Sequence, residues 1–269
     1  MSGSREVVLV TGASSGIGAC CAAFLAENGY RVYGGARGPV TAAGVEPLEL
    51  DVSIDTSVAQ AVETILAREG RLDVLVNNAG FGIAGSIEDT SVDEAKAQFE
   101  VNFFGVLRTC RAVLPKMREQ RSGYIVNIGS IGGLIAIPFQ SFYSASKFAL
   151  EGFTEALRLE VRPFGIHVVL IEPGDHRTSF TQNRRSTRGS SAGSAYHDRF
   201  QRSIARMAAD EQGGPSPEGI ARLLHKVVNH PRPRLRYTAG PPAQRAAVWL
   251  KRLLPYALIE KIMRDHYSR

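Results

Sequence analysis

The chain has 269 residues, is 44 % hydrophobic and 22 % charged, and carries a formal net charge of +6. This length and apolar content suit one large α/β domain with a sizeable core and leave little room for a second independent domain. Three cysteines, Cys20, Cys21 and Cys110, form no Cys-x-x-Cys pair, and the six histidines show no ligand spacing, so neither disulfides nor a metal site are expected.

The arginines are spread rather than grouped with interleaved aromatics, which argues against nucleic acid and for a basic solvated surface, with some charge available to a phosphorylated cofactor. No apolar run reaches the ~18 residues of a spanning helix. Met1-Ser-Gly-Ser leads into a strand rather than a signal peptide, so a soluble, cytoplasmic protein is expected.

Glu6-Val-Val-Leu-Val10 is the near-continuous apolar run of a strand buried on both faces. Thr11-Gly12-Ala-Ser14-Ser15-Gly16-Ile17-Gly18 follows, then a helix over 19–28 that ends at Gly29. Strand, glycine turn and helix make half of a βαβ unit, in which backbone amides and the helix N-terminus can receive a diphosphate. Arg31-Val-Tyr-Gly-Gly-Ala36 is the next strand, with Arg37 after it. Residues 38–44 are too few and too broken for a crossover helix. A strand over 45–50 ends in Asp51-Val52, and an amphipathic helix over 56–68 returns across the sheet. Leu72-Asp-Val-Leu-Val76 is a further buried strand, closed by Asn77-Asn78-Ala79-Gly80, whose amides suit tying neighbouring strands beside a ligand.

After Thr90-Ser-Val-Asp a long helix runs to about residue 119, with Asn102 near its middle and Pro115 bending its last part. The strand Tyr124-Ile-Val-Asn-Ile128 leads to Ser130 and then to a helix that Ser141 would cap. Tyr143 and Lys147 then lie on one face, one turn apart. An ammonium beside a phenol lowers the phenol's pKa from ~10, and a hydroxyl in the preceding loop can share a substrate oxygen with it. The helix ends near Pro163, a strand follows over 166–171, and Pro173-Gly174 closes it. The Arg-, Ser- and Gly-rich segment 182–194, with Arg184, Arg185 and Arg188, is expected to be a mobile substrate lid. Helices over 196–209 and 217–229 precede a last strand over 234–238. In the tail, Val248, Leu250, Leu253, Leu254, Leu258, Ile259, Ile262 and Met263 recur near helical spacing, interrupted by Pro255. Packing on the body or on a partner subunit is the expected use of this face, with weak association of its basic side with a membrane surface as the alternative.

The glycine turn, Asp51-Val52, Asn77-Asn-Ala-Gly80, Val101-Asn102-Phe-Phe-Gly105, Ser130, Tyr143-x-x-x-Lys147 and Pro173-Gly174 together resemble the short-chain dehydrogenase/reductase superfamily over nearly all of residues 5–240. Gly-x-x-x-Gly-x-Gly matches its short oxidoreductase branch rather than the extended epimerases. The runs around Ser130 and Tyr143 look like hydroxysteroid and retinol dehydrogenases. The resemblance implies a Rossmann-like doubly wound parallel sheet in a three-layer α/β/α single domain over 1–240, with 241–269 as a C-terminal extension.

It also implies a cofactor cradle of Gly12, Ser14, Ser15, Gly16, Ile17, Gly18, Arg37, Asp51, Val52, Asn78, Ala79, Gly80, Tyr143, Lys147, Pro173, Gly174 and Thr178. Ala36-Arg37 stands where NAD-preferring relatives place an acid, so NADP(H) is favoured. Asp51 is either the adenine-binding carboxylate of relatives or a turn acid. His176 replaces a small aliphatic residue, and a solvated side chain is expected in preference to one facing substrate.

In the chemistry implied, hydride reaches a carbonyl carbon while Tyr143 protonates the oxygen. Ser130 holds that oxygen, Lys147 lowers the tyrosine pKa and binds the nicotinamide ribose, and Asn102 anchors a relay water. Leu134, Ile135, Ile137, Phe139, Phe142 and Phe180 suggest an apolar pocket for a lipophilic ketone, aldehyde or secondary alcohol. A non-catalytic NADP sensor or scaffold is the rival reading, against which the intact Asn102, Ser130, Tyr143 and Lys147 speak. Enoyl reductases space Tyr and Lys more widely. Relatives pair their long helices between subunits, so a homodimer or homotetramer is expected.

Overall fold

The computed structural model describes residues 6–251 and 253–268, so the expectation for residues 1–4 lies outside the described residues. The apolar runs become inner strands: β1 (Val7–Thr11) is buried at every position, and its alternate side chains serve two separate cores. Val7 and Leu9 pack on one face of the sheet, Val8 and Val10 on the other. After β1 the chain passes through α1 (Gly16–Glu27), β2 (Arg31–Ala36), β3 (Val45–Glu49), α2 (Asp55–Glu69), β4 (Val74–Asn77) and a two-residue β5 (Ile83–Ala84). Residues 37–44 contain no helix, as expected, yet β3 pairs parallel with β2.

The long helix of the sequence reading is α3 (Val92–Phe99), a π-helical turn (Glu100–Phe104) and α4 (Gly105–Gln120) in direct succession. Its start is a capping box, Ser91 and Glu94 each accepting the other's backbone amide. Pro115 lies inside α4 without ending it. There follow β6 (Gly123–Ile128), α5 (Ser141–Val161), β7 (Ile166–Pro173), α6 (Phe180–Asn183), β8 (Arg185–Ser186), α7 (His197–Gly213), α8 (Glu218–Val228), β9 (Arg236–Ala239), α9 (Pro242–Leu250) and α10 (Tyr256–Ser268). Ser141 is the first helical residue of α5 rather than its cap; Gln140 holds that position without a side-chain capping bond.

The seven-stranded sheet runs β3-β2-β1-β4-β6-β7-β9, parallel throughout. The order reverses between β1 and β4, and both have strand ends opening to the same crevice. Helices α2, α4 and α5 supply Ile65, Val113 and Leu157 to one face, while α1 and α8 supply Leu25 and Leu224 to the other. Truncating a fully buried centre such as Leu9 or Leu75 to Ala would cost about 2–5 kcal/mol. No helix among the described residues is long and apolar enough to cross a membrane.

Segment 182–194 is tied down rather than loose. Its strand β8 pairs with β5, Thr187 is buried and donates its amide to Ala84 O, and Ser194 Oγ donates to Asp89 Oδ2 at 2.6 Å. The tail, interrupted at Pro255, lies against the body: Val248 and Ile259 are buried, Lys251 Nζ donates to Leu134 O, and Ser203 Oγ donates to Tyr267 O.

Candidate active site

The carboxyl ends of the strands open into one crevice of about 1270 Å³. At one end stands the glycine turn. Gly12 has φ +68°, and a Cβ there would lie 2.8 Å from Ala79 Cα. A Cβ on Gly18 would come within 2.3 Å of Gly12 O and of Asn78 Nδ2, so this glycine packs the turn against β4 instead of facing the crevice. Thr11, absent from the sequence-based site, is the clasp: its hydroxyl accepts the amides of Asn78 and Ala79, and Asn78 Nδ2 donates to Thr11 O and Gly12 O. Ser15 caps α1 without a side-chain bond, and the first turn has no acid, so the helix N-terminus keeps its amides for an outside acceptor. This cradle fits a diphosphate.

Ser14, Ser15, Gly16, Ile17, Arg37, Asp51, Val52, Asn78, Ala79, Gly80, Pro173, Gly174 and Thr178 all line the crevice with Gly12. Arg37 is exposed just past β2. Asp51 is a turn acid that also lines the crevice. Its Oδ1 accepts Ser53 N at 2.9 Å and Ser53 Oγ at 2.6 Å, while the side chain remains on the crevice wall. Although burial acts to raise its pKa, these bonds with Arg37 and Arg108 hold it below the usual carboxylate value.

Ser130, Tyr143 and Lys147 meet at the crevice centre. Ser130 Oγ accepts Gly132 N at 2.9 Å, which fixes the hydroxyl, and Ser130 acts to lower the pKa of Tyr143. Lys147 Nζ donates to Ile128 O at 2.8 Å and lies 5.9 Å from the Tyr143 ring centre. The expected lowering of the tyrosine pKa by Lys147 is not met by these side chains alone. Burial pushes the phenol up to about 12 against the pull of Ser130, and burial also takes Lys147 down to about 8 despite Glu151 one turn along.

Asn102 stands behind the wall. Buried in the π-helical turn, it exchanges two bonds with the Phe81 backbone at 3.1 Å and donates to Ser146 Oγ at 3.3 Å, so it links the loop after β4 to the helix that carries Lys147. Further inside, Thr109, Asn77, Asn127 and Thr154 form a continuous buried chain of hydrogen bonds across α4, β4, β6 and α5. The expectation that asparagine amides tie the strands together is met, and Asn127 extends it.

His176 corrects the sequence reading. It is buried, not solvated, because its Nδ1–H donates to Gly174 O at 2.9 Å and folds the ring back onto the turn after β7. Of the six residues proposed for the apolar pocket, Ile135, Ile137 and Phe180 line the crevice, the last with its ring 5.6 Å from that of Tyr143; Leu134, Phe139 and Phe142 do not. Phe81, Met207, Ile262, Met263 and Tyr267 complete the wall.

A charged group also went unforeseen. Arg184 is ion-paired with Glu211, which accepts Thr181 Oγ1 at 2.5 Å, and both stand near Asp175 within electrostatic reach of Tyr143. Burial raises the pKa of Glu211 and of Asp175. These residues come together from the turn after β7, from α6 and the residue that follows it, and from α7, so no local spacing announces them.

The sequence matches the family model described as short chain dehydrogenase over residues 6–189. It is 44 % identical over 264 residues to a 3-ketodihydrosphingosine reductase of Bacteroides thetaiotaomicron, covering 98 % of each chain. It is 36 % identical over 255 residues to 17-beta-hydroxysteroid dehydrogenase type 1 of Homo sapiens, covering 87 % of this chain and 77 % of that one. Among solved structures, a short-chain dehydrogenase from Streptomyces avermitilis superposes with a TM-score of 0.82 at 33 % identity, covering 100 % of this chain and 99 % of that one. An alcohol dehydrogenase from Thermococcus sibiricus, complexed with 5-hydroxy-NADP, has a TM-score of 0.71 at 25 % identity over 88 % of this chain and 96 % of that one.

Proposed function

Because the chain belongs to the short-chain dehydrogenase family, and so is an oxidoreductase of a pyridine nucleotide, we propose that it reduces the ketone of a long-chain lipophilic substrate with NADPH. The 3-ketodihydrosphingosine class, an alkyl chain ending in an amino-ketone, is the substrate that the Bacteroides relative favours. One observation carries the chemistry: a buried phenol that shares the crevice with Ser130, with a buried ammonium one turn away.

A phenol with a pKa near 12 is protonated at neutral pH, as a proton donor to a ketone oxygen must be. Bound NADPH supplies the hydride that adds to the carbonyl carbon. Ser130 holds the carbonyl oxygen beside Tyr143, which delivers its proton as negative charge grows there. Lys147, an ammonium below about pH 8, then stabilises the phenolate left behind. Asn102 acts from behind, keeping the loop after β4 and the Lys147 helix in register.

NADPH rather than NADH is supported by Arg37 next to Ala36, where no carboxylate would repel a 2′-phosphate. Phe81, Phe180, Ile135, Ile137 and Met207 support the apolar half of the substrate. Exposed Phe104, Phe148 and Leu159 on the π-turn and α5 support pairing of these helices in a homodimer or homotetramer of a cytoplasmic enzyme. Fluorescence titration with NADPH and NADH, followed by turnover of 3-ketodihydrosphingosine, tests the reading. Tight NADPH binding, weaker NADH binding and consumption of NADPH are expected; absence of binding to either nucleotide would refute it.

A further inference from the structure

Six of the twelve large hydrophobic side chains exposed among the described residues fall in one short stretch: Trp249, Leu250, Leu253, Tyr256, Leu258 and Ile262. Trp249 and Leu253 are each 63 % exposed and Tyr256 74 %. The stretch spans the end of α9, the turn after it and the first half of α10. Its inner side is already used, since Val248 and Ile259 are buried and Lys251 is bonded to Leu134 O. Leu258 and Ile262, one turn apart, share an outer face. Half of the exposed large apolar side chains gathered on one helix–turn–helix mark an interaction surface rather than scattered surface residues.

Charge selects the partner. Residues 241–269 hold six cations (Arg245, Lys251, Arg252, Lys261, Arg264 and Arg269) against two anions (Glu260 and Asp265), so this tail carries +4 of the chain's +6. Arg245, Lys261 and Arg264 are exposed beside the apolar residues. Tryptophan and tyrosine among leucines, ringed by cations, are the composition of a helix that lies in the headgroup layer of an anionic membrane. The same helices form part of the crevice wall through Ala247, Met263 and Tyr267, and Ile262 belongs to both crevice and patch. The patch and the crevice mouth are therefore continuous.

We propose that the stretch 249–262 docks the protein reversibly on an anionic bilayer, with Trp249, Leu253 and Tyr256 entering the headgroup layer and the crevice mouth opening toward the lipid. Docking stands on the patch and its charge; delivery of substrate from the membrane rests on the proposed function. A lipophilic ketone dissolved in the bilayer would then enter the crevice without crossing water.

Trp249 is the sole tryptophan of the chain, so its fluorescence reads the proposed contact in the unaltered protein. Vesicles of phosphatidylcholine with phosphatidylglycerol should shift its emission to the blue and carry the protein in flotation. Phosphatidylcholine alone, or about 1 M salt, where the Debye length is about 3 Å, should weaken both. Unchanged emission with anionic vesicles overturns the proposal, as does equal binding to both vesicle types.

A blue shift that grows with protein concentration without vesicles, together with a rise in solution mass, assigns the patch to a second copy and overturns it equally. The double variant Leu253→Ser/Tyr256→Ser, outside the crevice lining, should lose vesicle binding and keep NADPH binding; vesicle binding like the wild type's overturns the proposal. Turnover of 3-ketodihydrosphingosine in detergent is measured in parallel. Vesicle binding without turnover rejects the substrate reading alone, and turnover without vesicle binding rejects the docking alone.

Discussion

Replacing Lys147 with Met should make the protein inactive and, at neutral pH, relieve a cost of folding. Lys147 is 6 % exposed, and burial brings its pKa from 10.5 to about 8. That fall corresponds to about 3 kcal/mol held against the ammonium in the folded state. The folded protein therefore binds this proton more weakly than the unfolded chain does, so wild-type stability gains from pH about 8 up through 10.5, and the full cost is present below 8. Lys147→Met has no such proton. Whatever the packing of the methionine, the stability of the wild type relative to the variant should rise by about 3 kcal/mol between pH 7 and pH 10.5. At about 2–4 °C per kcal/mol for a chain of this size, the gap in Tm should move by about 6–12 °C. Thermal unfolding of both proteins by circular dichroism across that range measures it. A gap that stays constant with pH would refute the buried-ammonium reasoning, and one that moves the other way would reverse its sign.

Arg37→Ala should weaken NADPH by about 10–100-fold, the worth of a charge-assisted contact of about 1.5–3 kcal/mol, and leave NADH affinity nearly unchanged; fluorescence titration with both nucleotides decides. Gly12→Ala combines a left-handed backbone, costing about 1–2 kcal/mol, with a Cβ only 2.8 Å from Ala79 Cα, and should lose both NADPH binding and several degrees of Tm. Gly29→Ala, also at positive φ but with no atom within 4 Å of the added Cβ, should cost only the backbone part and bind NADPH normally. Equal effects at the two glycines would remove the argument from close approach.

The sheet was legible because strands covered on both faces leave nearly continuous apolar runs. Those at β1, β2, β4, β6 and β7 are unmistakable in the chain. The glycine turn and Tyr143-x-x-x-Lys147 were legible because backbone approach to a diphosphate and stacking along a helix both impose short, fixed spacings. What escaped the sequence reading is long-range or made by main chain. The 182–194 segment looks loose from its Arg, Ser and Gly content, yet backbone pairing of β8 with β5 anchors it. His176 looks like a solvated loop residue until its bond to Gly174 O turns the ring inward. The Arg184–Glu211 pair and the contribution of α10 to the crevice depend on how distant elements pack. The direction of the Tyr143 shift was also out of reach, because spacing reports which charge is near and not how much water burial removes.

The central claim is that Tyr143 supplies the proton in a hydride-transfer reduction, and Tyr143→Phe tests it most directly. Pre-steady-state oxidation of NADPH with 3-ketodihydrosphingosine should slow by about 10²–10⁴-fold in the variant, while its NADPH Kd stays at the wild-type value. A variant that turns over at nearly the wild-type rate with the same Kd would contradict the assignment of the phenol as the acid.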